Sequence, residues 1–141
     1  MPDRLYDPSD IKSLLKESDY VVLCAPYTPQ THHMINVEAL AAMKPAAVLI
    51  NVGRGNLIDE QALIEVLKEG KIRGAGLDVY SKEPLPPSSP LWTLPNVIAF
   101  PHVAGLSPHY LSRAVALFAE NLRRYLAGEP LLNVVQKERG Y

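Results

Sequence analysis

The sequence contains a single cysteine, Cys24, so no internal disulfide can form and a reducing compartment is expected. Long hydrophobic runs are also missing. The longest stretch without charged or strongly polar side chains, Tyr20 to Tyr27, is far too short to span a bilayer. The opening residues, MPDRLYDPSD, lack the apolar segment of a secretory signal. These absences predict a cytoplasmic protein with no membrane partner.

Blocks of like charge are missing as well. Lys and Arg together number 14 and Asp and Glu number 15, which leaves a net charge of −1. Nucleic acids and anionic membranes attract clustered basic side chains, so neither is expected as a partner. The chain has 141 residues, of which 48% are apolar, and this suffices for one packed domain or part of one.

Several catalytic signatures cannot be found. The nucleophile elbow G-x-S-x-G is missing, which argues against a serine hydrolase, and so are the Walker A loop and the glycine fingerprint G-x-G-x-x-G. The pair His32-His33 lacks metal-ligand spacing, so we predict a surface loop there and no metal site. Cys24 lies inside an apolar run and is predicted to be a small core residue.

Strand-like and helix-like segments alternate along the chain. Apolar runs predict four strands, at Tyr20–Ala25, Ala46–Val52, Ala75–Val79 and Val97–Phe100. Amphipathic spacing predicts helices after the caps Ser9, Asn36 and Asp59, and a long helix from Ser107-Pro108 to about Ala127. Gly70 and Gly128 are the predicted helix stops. Apolar strands between helices indicate an α/β fold whose parallel sheet is covered on both sides.

An arginine lies between two glycines directly after the second predicted strand. In Gly53-Arg54-Gly55, glycine permits close approach of the backbone to a ligand, and the guanidinium offers a planar fork that matches a carboxylate or phosphate. Ligands of open α/β sheets bind outside the carboxyl ends of the strands, which is where this triplet is expected. The alternative is a surface arginine in a tight turn.

Two acidic residues and a histidine follow the later predicted strands. Asp78 ends the third strand, Glu83 precedes a proline in the next loop, and His102 follows the fourth strand. Histidine is the usual acid or base near neutral pH, and a neighbouring carboxylate stabilises its protonated ring and fixes its tautomer. Each residue alone also fits a structural role, as a turn former, a solvated charge or a satisfied histidine. Their shared sheet edge favours a catalytic interpretation.

Three ordered segments resemble the signatures of a known family, the D-isomer-specific 2-hydroxyacid dehydrogenases. The segments are Asn51–Gly55, Gly76–Pro84 and Pro101–Gly105, with supporting similarity over Cys24–Thr31, Leu57–Leu63 and Leu131–Val135. The resemblance covers the chain from about Leu5 onward. It implies a Rossmann-like parallel sheet that binds NAD or NADP.

The resemblance also implies a role for each candidate residue. Arg54 would bind the carboxylate of a small 2-hydroxy or 2-oxo acid and polarise its keto oxygen. His102 would exchange a proton with that oxygen, and Glu83 would support the histidine. Hydride would move between the substrate and the cofactor. The residues implied to line the cofactor are Ala25, Val52, Gly53, Arg54, Asp78, His102, Val103, Ala104 and Gly105.

The family's substrate-binding segment and its first βαβ unit with the glycine fingerprint are not found in this sequence. We therefore expect residues 1–141 to form a single partial domain, the C-terminal part of the cofactor domain, and to be inactive alone. The identity of the acid and the choice between NAD and NADP stay open, because the segments that set both are absent. The alternative is a catalytically inactive remnant that serves association, since cofactor domains of this family commonly pair as homodimers.

Overall fold

A computed structural model describes residues 3–139, which form two compact units, one up to His102 and one from Val103 onward. The strands of the first unit are β1 Tyr20–Leu23, β2 Val48–Asn51, β3 Gly74–Leu77 and β4 Val97–Ala99. Its α-helices are α1 Ile11–Glu17, α2 Val37–Ala42 and α3 Glu60–Lys68, with short 3₁₀ helices at Pro8–Asp10, Gly55–Leu57 and Pro90–Trp92.

The four strands form one parallel sheet in the order β1-β2-β3-β4. Val22, Ile50, Gly76 and Ile98 lie side by side across it. The predicted α/β fold with a parallel sheet is confirmed. Each strand ends one or two residues before the apolar run does, so the residues that follow the strands extend past the carboxyl edge of the sheet.

Only one face of the sheet is covered within the first unit, so the prediction of cover on both sides is wrong there. Val21, Leu49 and Leu77 point into the core, where a fully buried leucine side chain contributes about 1.5–3 kcal/mol. On the other face, Val22 is 55% exposed and Ile98 63% exposed. The strands are added to the sheet in sequence order, always at the same edge. Right-handed crossovers between such strands place the connecting helices on one side of the sheet, and α2 contacts both α1 and α3.

The predicted caps of α2 and α3 are confirmed. The Asn36 side chain accepts a hydrogen bond from the Ala39 N–H at 3.0 Å. The Asp59 carboxylate accepts one from the Ala62 N–H at 3.1 Å. Each bond satisfies a backbone donor that has no partner within its helix. Gly70, at φ +65°, follows the end of α3 as predicted.

Two local predictions are wrong in the first unit. Ser9 does not cap α1; the Asp7 carboxylate accepts from the Ser9 N–H at 2.9 Å and begins the 3₁₀ turn that leads into the helix. Cys24 is not in the core. It follows the last residue of β1 and is exposed, because the strand ends at Leu23.

The second unit is built on one long helix, α4 Tyr110–Leu126. The predicted start at Ser107 is wrong, because the Ser107 carbonyl accepts from the Tyr110 N–H at 3.0 Å in a turn that precedes the helix. The predicted stop is confirmed, since Gly128 has φ +67° and follows the helix end. None of the helices in residues 3–139 is long and apolar enough to cross a membrane.

Apolar side chains form a stripe along α4. They follow a 4-3-4-3 spacing, and none of them is buried: Leu111, Val115, Phe118, Leu122 and Tyr125. The other side of the helix carries an ion-pair cluster in which Arg123 contacts Glu120 at 3.0 Å and Glu129 at 2.8 Å. Helix α4 is therefore strongly amphipathic, and no residue between 103 and 139 buries its apolar side.

Candidate active site

The last residue of β2 fixes the turn that presents Arg54. Asn51 is completely buried, and its Oδ1 accepts from the Gly53 N–H at 3.0 Å while its Nδ2 donates to the Arg54 carbonyl at 2.9 Å. The Arg54 side chain is exposed and donates to the Gly53 carbonyl at 2.6 Å. Sequence reasoning missed Asn51, although an asparagine near the end of an apolar run is a known turn former.

Three of the residues predicted to contact a cofactor lie together at the carboxyl ends of β1 and β2. A Cβ atom on Gly53 would lie 3.0 Å from the Ala25 carbonyl oxygen, so glycine permits this close approach. The neighbouring Val52 N–H donates to the Leu23 carbonyl at 3.1 Å and leaves its side chain 41% exposed. Val52 thus leaves a small apolar surface at this edge, beside the buried Gly53.

His102 and Glu83 form a hydrogen-bonded pair. The imidazole Nδ1 lies 2.7 Å from Glu83 Oε2, and the other carboxylate oxygen accepts from the Tyr80 N–H at 3.0 Å. With the Nδ1 hydrogen directed at Glu83, Nε2 is the ring nitrogen left for a substrate. The His102 backbone has φ 57°, a left-handed conformation that costs a residue with a side chain about 1–2 kcal/mol. Such strain is often found at functional positions.

The surroundings of Glu83 keep its carboxyl group ionised. Partial burial, the largest single effect, acts to raise the pKa of Glu83. The hydrogen bonds from His102 and the Tyr80 N–H, with the positive charges of His102 and Arg54, outweigh burial and lower that pKa below its ordinary value. The charge of Arg54 is the smallest of these effects, and it acts on the Glu83 carboxylate.

The other residues predicted to contact a cofactor are Asp78, Val103, Ala104 and Gly105. Asp78 directly follows β3 and is only 5% exposed, and its N–H donates to the Asn51 carbonyl at 3.0 Å. Val103, Ala104 and Gly105 belong to the second unit, where the Leu106 N–H donates to the Val103 carbonyl at 2.9 Å. The contacts of these four residues with a cofactor stay a prediction.

A pocket of about 450 Å³ opens beside the His102–Glu83 pair. Its walls are largely apolar and include Leu85, Trp92 and Phe100. The Trp92 indole N–H donates to the Pro86 carbonyl at 2.9 Å, and this bond holds the indole ring against the loop that contains Pro86. Sequence reasoning missed these aromatic side chains, because their spacing along the chain gives no signal that they meet. No cluster of His, Cys, Asp and Glu able to hold a metal occurs between residues 3 and 139.

The sequence model of the D-isomer-specific 2-hydroxyacid dehydrogenases, for their NAD-binding domain, matches residues 3–104. The chain belongs to this family. The match includes the residues of the Arg54 turn, the Glu83 loop and the His102 loop, so the segments that carry the resemblance in the sequence are the ones that form the site.

Similar proteins agree with this assignment. Glyoxylate/hydroxypyruvate reductase B of Pectobacterium carotovorum is 48% identical over 129 residues, which are 92% of this chain and 40% of that enzyme. A D-isomer-specific 2-hydroxyacid dehydrogenase of Xanthobacter autotrophicus, solved with NADPH and MES, superposes with a TM-score of 0.87 at 44% identity, over 94% of this chain and 54% of that one.

A third similar protein is the NADPH-dependent glyoxylate/hydroxypyruvate reductase of Sinorhizobium meliloti, solved with NADP and sulfate. It superposes with a TM-score of 0.88 at 34% identity, over 96% of this chain and 44% of that one. The chain thus spans about two fifths of the length of the curated relatives that it matches. The Rossmann-like fold of the NAD-binding domain is confirmed for this part of the family's length.

Proposed function

We propose that this chain is the C-terminal part of the cofactor domain of an NAD(P)-dependent dehydrogenase that interconverts D-2-hydroxy acids and 2-oxo acids. The observation that carries the proposal is the hydrogen bond of 2.7 Å between His102 and Glu83, within the electrostatic reach of Arg54. This reaction needs an acid or base, a carboxylate that orients it, and a guanidinium that binds the substrate carboxylate. On this proposal, residues 1–141 are one partial domain.

Each of the three side chains has a distinct task in the proposed reaction. The Arg54 guanidinium forms two parallel hydrogen bonds with the substrate carboxylate and polarises the adjacent carbonyl. His102 donates a proton from Nε2 to the carbonyl oxygen during reduction and accepts it during oxidation. Glu83 holds the ring by Nδ1 and stabilises its protonated form. NAD or NADP, when bound, supplies or accepts the hydride.

The residues proposed to hold the nicotinamide end are those at the carboxyl edge of the sheet. The backbones of Ala25, Val52 and Gly53 form one side, and their close packing offers a flat surface for the ring. Contacts with the cofactor are also proposed for Asp78 and, separately, for Val103, Ala104 and Gly105. The two solved relatives described above contain NADPH and NADP, and the proposal includes both NAD and NADP.

The proposed substrates are small 2-oxo acids of the glyoxylate and hydroxypyruvate type, by analogy with the named relatives. We propose a cytoplasmic homodimer with no nucleic-acid or membrane partner. The exposed apolar stripe of α4 and the uncovered face of the sheet support self-association, because monomeric proteins rarely expose contiguous apolar surface of this kind.

The same surfaces favour a second candidate function, a catalytically inactive module that serves association. A hybrid enzyme separates the two: this chain replaces the matched C-terminal region of the Pectobacterium reductase, behind that enzyme's own preceding segment. The dehydrogenase proposal predicts that the hybrid reduces glyoxylate or hydroxypyruvate with NADPH or NADH. A folded hybrid that associates but shows no turnover supports the second candidate and contradicts the first.

The variant His102→Asn tests the acid role within the hybrid. Asparagine adopts the left-handed backbone of residue 102 readily, so the loop keeps its shape while the acid is lost. Loss of an acid or base catalyst lowers kcat by about 10²–10⁴-fold. His32→Asn, in the surface loop, is the matched control and is expected to keep the activity of the hybrid. Near-normal turnover of His102→Asn would contradict the assigned role.

A further inference from the structure

One residue, Tyr80, forms hydrogen bonds both with Glu83 and with the segment that leads into His102. Its backbone N–H donates to Glu83 Oε1 at 3.0 Å. Its phenol hydroxyl donates to the Phe100 carbonyl at 2.8 Å and lies 3.0 Å from the Leu77 carbonyl. Phe100 stands two residues before His102, so the loop that carries the histidine is tied to the residue that holds the carboxylate.

The turn that follows Arg54 packs directly against the same residue, Tyr80. A Cβ atom on Gly55 would lie 1.9 Å from the carbonyl carbon and oxygen of Tyr80, a distance that no side chain can occupy. Only glycine therefore allows the turn after Arg54 to rest directly on the Tyr80 backbone. From the other side, Glu60 at the start of α3 accepts a hydrogen bond from the Ser81 N–H at 2.9 Å. The segment Tyr80–Ser81 is thus fixed by contacts on two sides.

The Tyr80 side chain is well suited to hold a position. It is 6% exposed, so its ring is fixed by packing and its hydroxyl is shielded from water. Burial raises the pKa of the Tyr80 phenol above its ordinary value, so the hydroxyl keeps its hydrogen and remains a donor at any working pH. Phe100 also pairs in the sheet, since its N–H donates to the Leu77 carbonyl at 2.8 Å. The Tyr80 hydroxyl therefore adds a second connection between the end of β3, at Leu77, and Phe100, the residue that follows β4.

We propose that Tyr80 is a positioning residue that sets His102 against Glu83 and beside Arg54. Its effect on turnover rests on the proposed dehydrogenase function, whereas its effect on the geometry of the pair does not. Removing the hydroxyl releases the Phe100 carbonyl and lets the His102 loop shift, while the ring still fills its place in the core. Tyr80→Phe makes this change, and Tyr20→Phe is the matched control because Tyr20 lies on the exposed face of β1.

The first measurement uses the 141-residue chain itself and requires no activity. The ¹⁵N chemical shifts of the His102 ring at about pH 9, where an ordinary imidazole is neutral, report which nitrogen carries the hydrogen. In the parent chain we expect the Nδ1–H form, directed at Glu83. In Tyr80→Phe we expect a measurable shift of the population toward the Nε2–H form, and in Tyr20→Phe we expect none.

The second measurement uses the hybrid enzyme. Loss of one hydrogen bond that positions the acid is expected to lower kcat about three- to tenfold, with KM unchanged because Arg54 still binds the substrate carboxylate. Reduction should also fail at a lower pH than in the parent, because the protonated ring is held less well by Glu83. The midpoint of thermal unfolding records any general loss of stability separately.

The outcomes are distinct. A changed tautomer population with a lower kcat at constant KM supports the positioning role. Unchanged ring shifts in Tyr80→Phe overturn it, whether or not stability, kcat or KM falls, because the residue would then serve only the packing. An inactive parent hybrid contradicts the proposed function, and the ring shifts alone then decide the inference about Tyr80.

Discussion

At the residue scale, the guanidinium of Arg54 is held by its own turn. Asn51 fixes that turn through two hydrogen bonds, and Arg54 itself donates to the Gly53 carbonyl. The turn that carries the guanidinium is therefore held in a fixed conformation at the carboxyl end of β2. Lysine at this position would keep the charge, but its single ammonium group cannot form the two parallel bonds that a carboxylate accepts.

Arg54→Lys in the hybrid enzyme is expected to lower kcat/KM about ten- to hundredfold, the value of a charge-assisted hydrogen bond. Arg73→Lys is the matched control, because Arg73 precedes β3 at the opposite edge of the sheet and is exposed. Steady-state kinetics on glyoxylate and hydroxypyruvate measure both variants. If Arg54→Lys kept the kcat/KM of the parent, its role in binding the carboxylate would be wrong.

The lowered pKa of Glu83 gives a stability that depends on pH. A carboxyl group whose pKa is lower in the folded chain stabilises the fold above its unfolded pKa, and this contribution disappears as the pH falls through the folded pKa. Because the pair is partly exposed, we expect no more than about 1 kcal/mol. The free energies of urea unfolding for the parent and Glu83→Gln should therefore differ at pH 7 and converge at about pH 3. An equal difference at both pH values would contradict the pairing.

The same substitution affects the proposed reaction in a defined direction. Reduction needs a protonated His102, and the Glu83 carboxylate stabilises that form. Glu83→Gln keeps a hydrogen-bonding group but removes the charge. Reduction by the hybrid should then lose its rate at a lower pH than the parent, and oxidation should begin at a lower pH. Paired pH–rate profiles in both directions measure the effect, and an unmoved or opposite shift would refute it.

At the element scale, the ends of α2 and α3 were predicted more closely than the ends of the strands, whereas the predicted starts at Ser9 and Ser107 were wrong. The caps Asn36 and Asp59 and the stop Gly70 act through bonds within a few residues, so the sequence alone identifies them. Strand ends depend on partners far along the chain, and the apolar runs therefore continue past the last paired residue. Cys24 shows this directly, since it is apolar in pattern but lies beyond the end of β1.

The cap of α3 can be tested separately. Asp59→Ala removes the acceptor of the Ala62 N–H and is expected to destabilise the chain by about 1 kcal/mol. Gln61→Ala, on the exposed side of the same helix, is the control and should change stability by less than about 0.5 kcal/mol. Urea unfolding of the 141-residue chain gives both values. An equal loss in the two variants would show that the cap bond is not what stabilises the helix end.

At the scale of the whole molecule, the resemblance in the sequence identified the pair His102–Glu83 but not the residues that hold it. Arg54, Glu83 and His102 are marked by residue type and by motif. Tyr80 and Asn51 are ordinary core and turn residues by type. Only the folded chain shows that Asn51 holds the Arg54 turn and that Tyr80 joins the Glu83 loop to the segment before His102. Cover on one side of the sheet likewise follows from strand order, which no local pattern contains.

The 141-residue chain is expected to bind NAD or NADP weakly or not at all. The chain is proposed to form only the nicotinamide end of a site, and the glycine fingerprint that usually binds the phosphates is not found in residues 1–141. Calorimetric titration of the chain, beside the hybrid enzyme as the positive control, measures the difference. Stoichiometric binding to the chain with micromolar affinity, about −8 kcal/mol, would contradict this expectation.

The one-directional strand order has a further consequence for how the proposed dehydrogenase can vary. Dinucleotides bind open α/β sheets at the point where the strand order reverses, and the order β1-β2-β3-β4 contains no reversal. The sheet therefore carries the residues proposed to move the proton without the reversal at which a dinucleotide usually binds. In the proposed dehydrogenase, substitutions at His102 and Glu83 are therefore expected to change the rate of proton transfer without changing the preference for NAD or NADP.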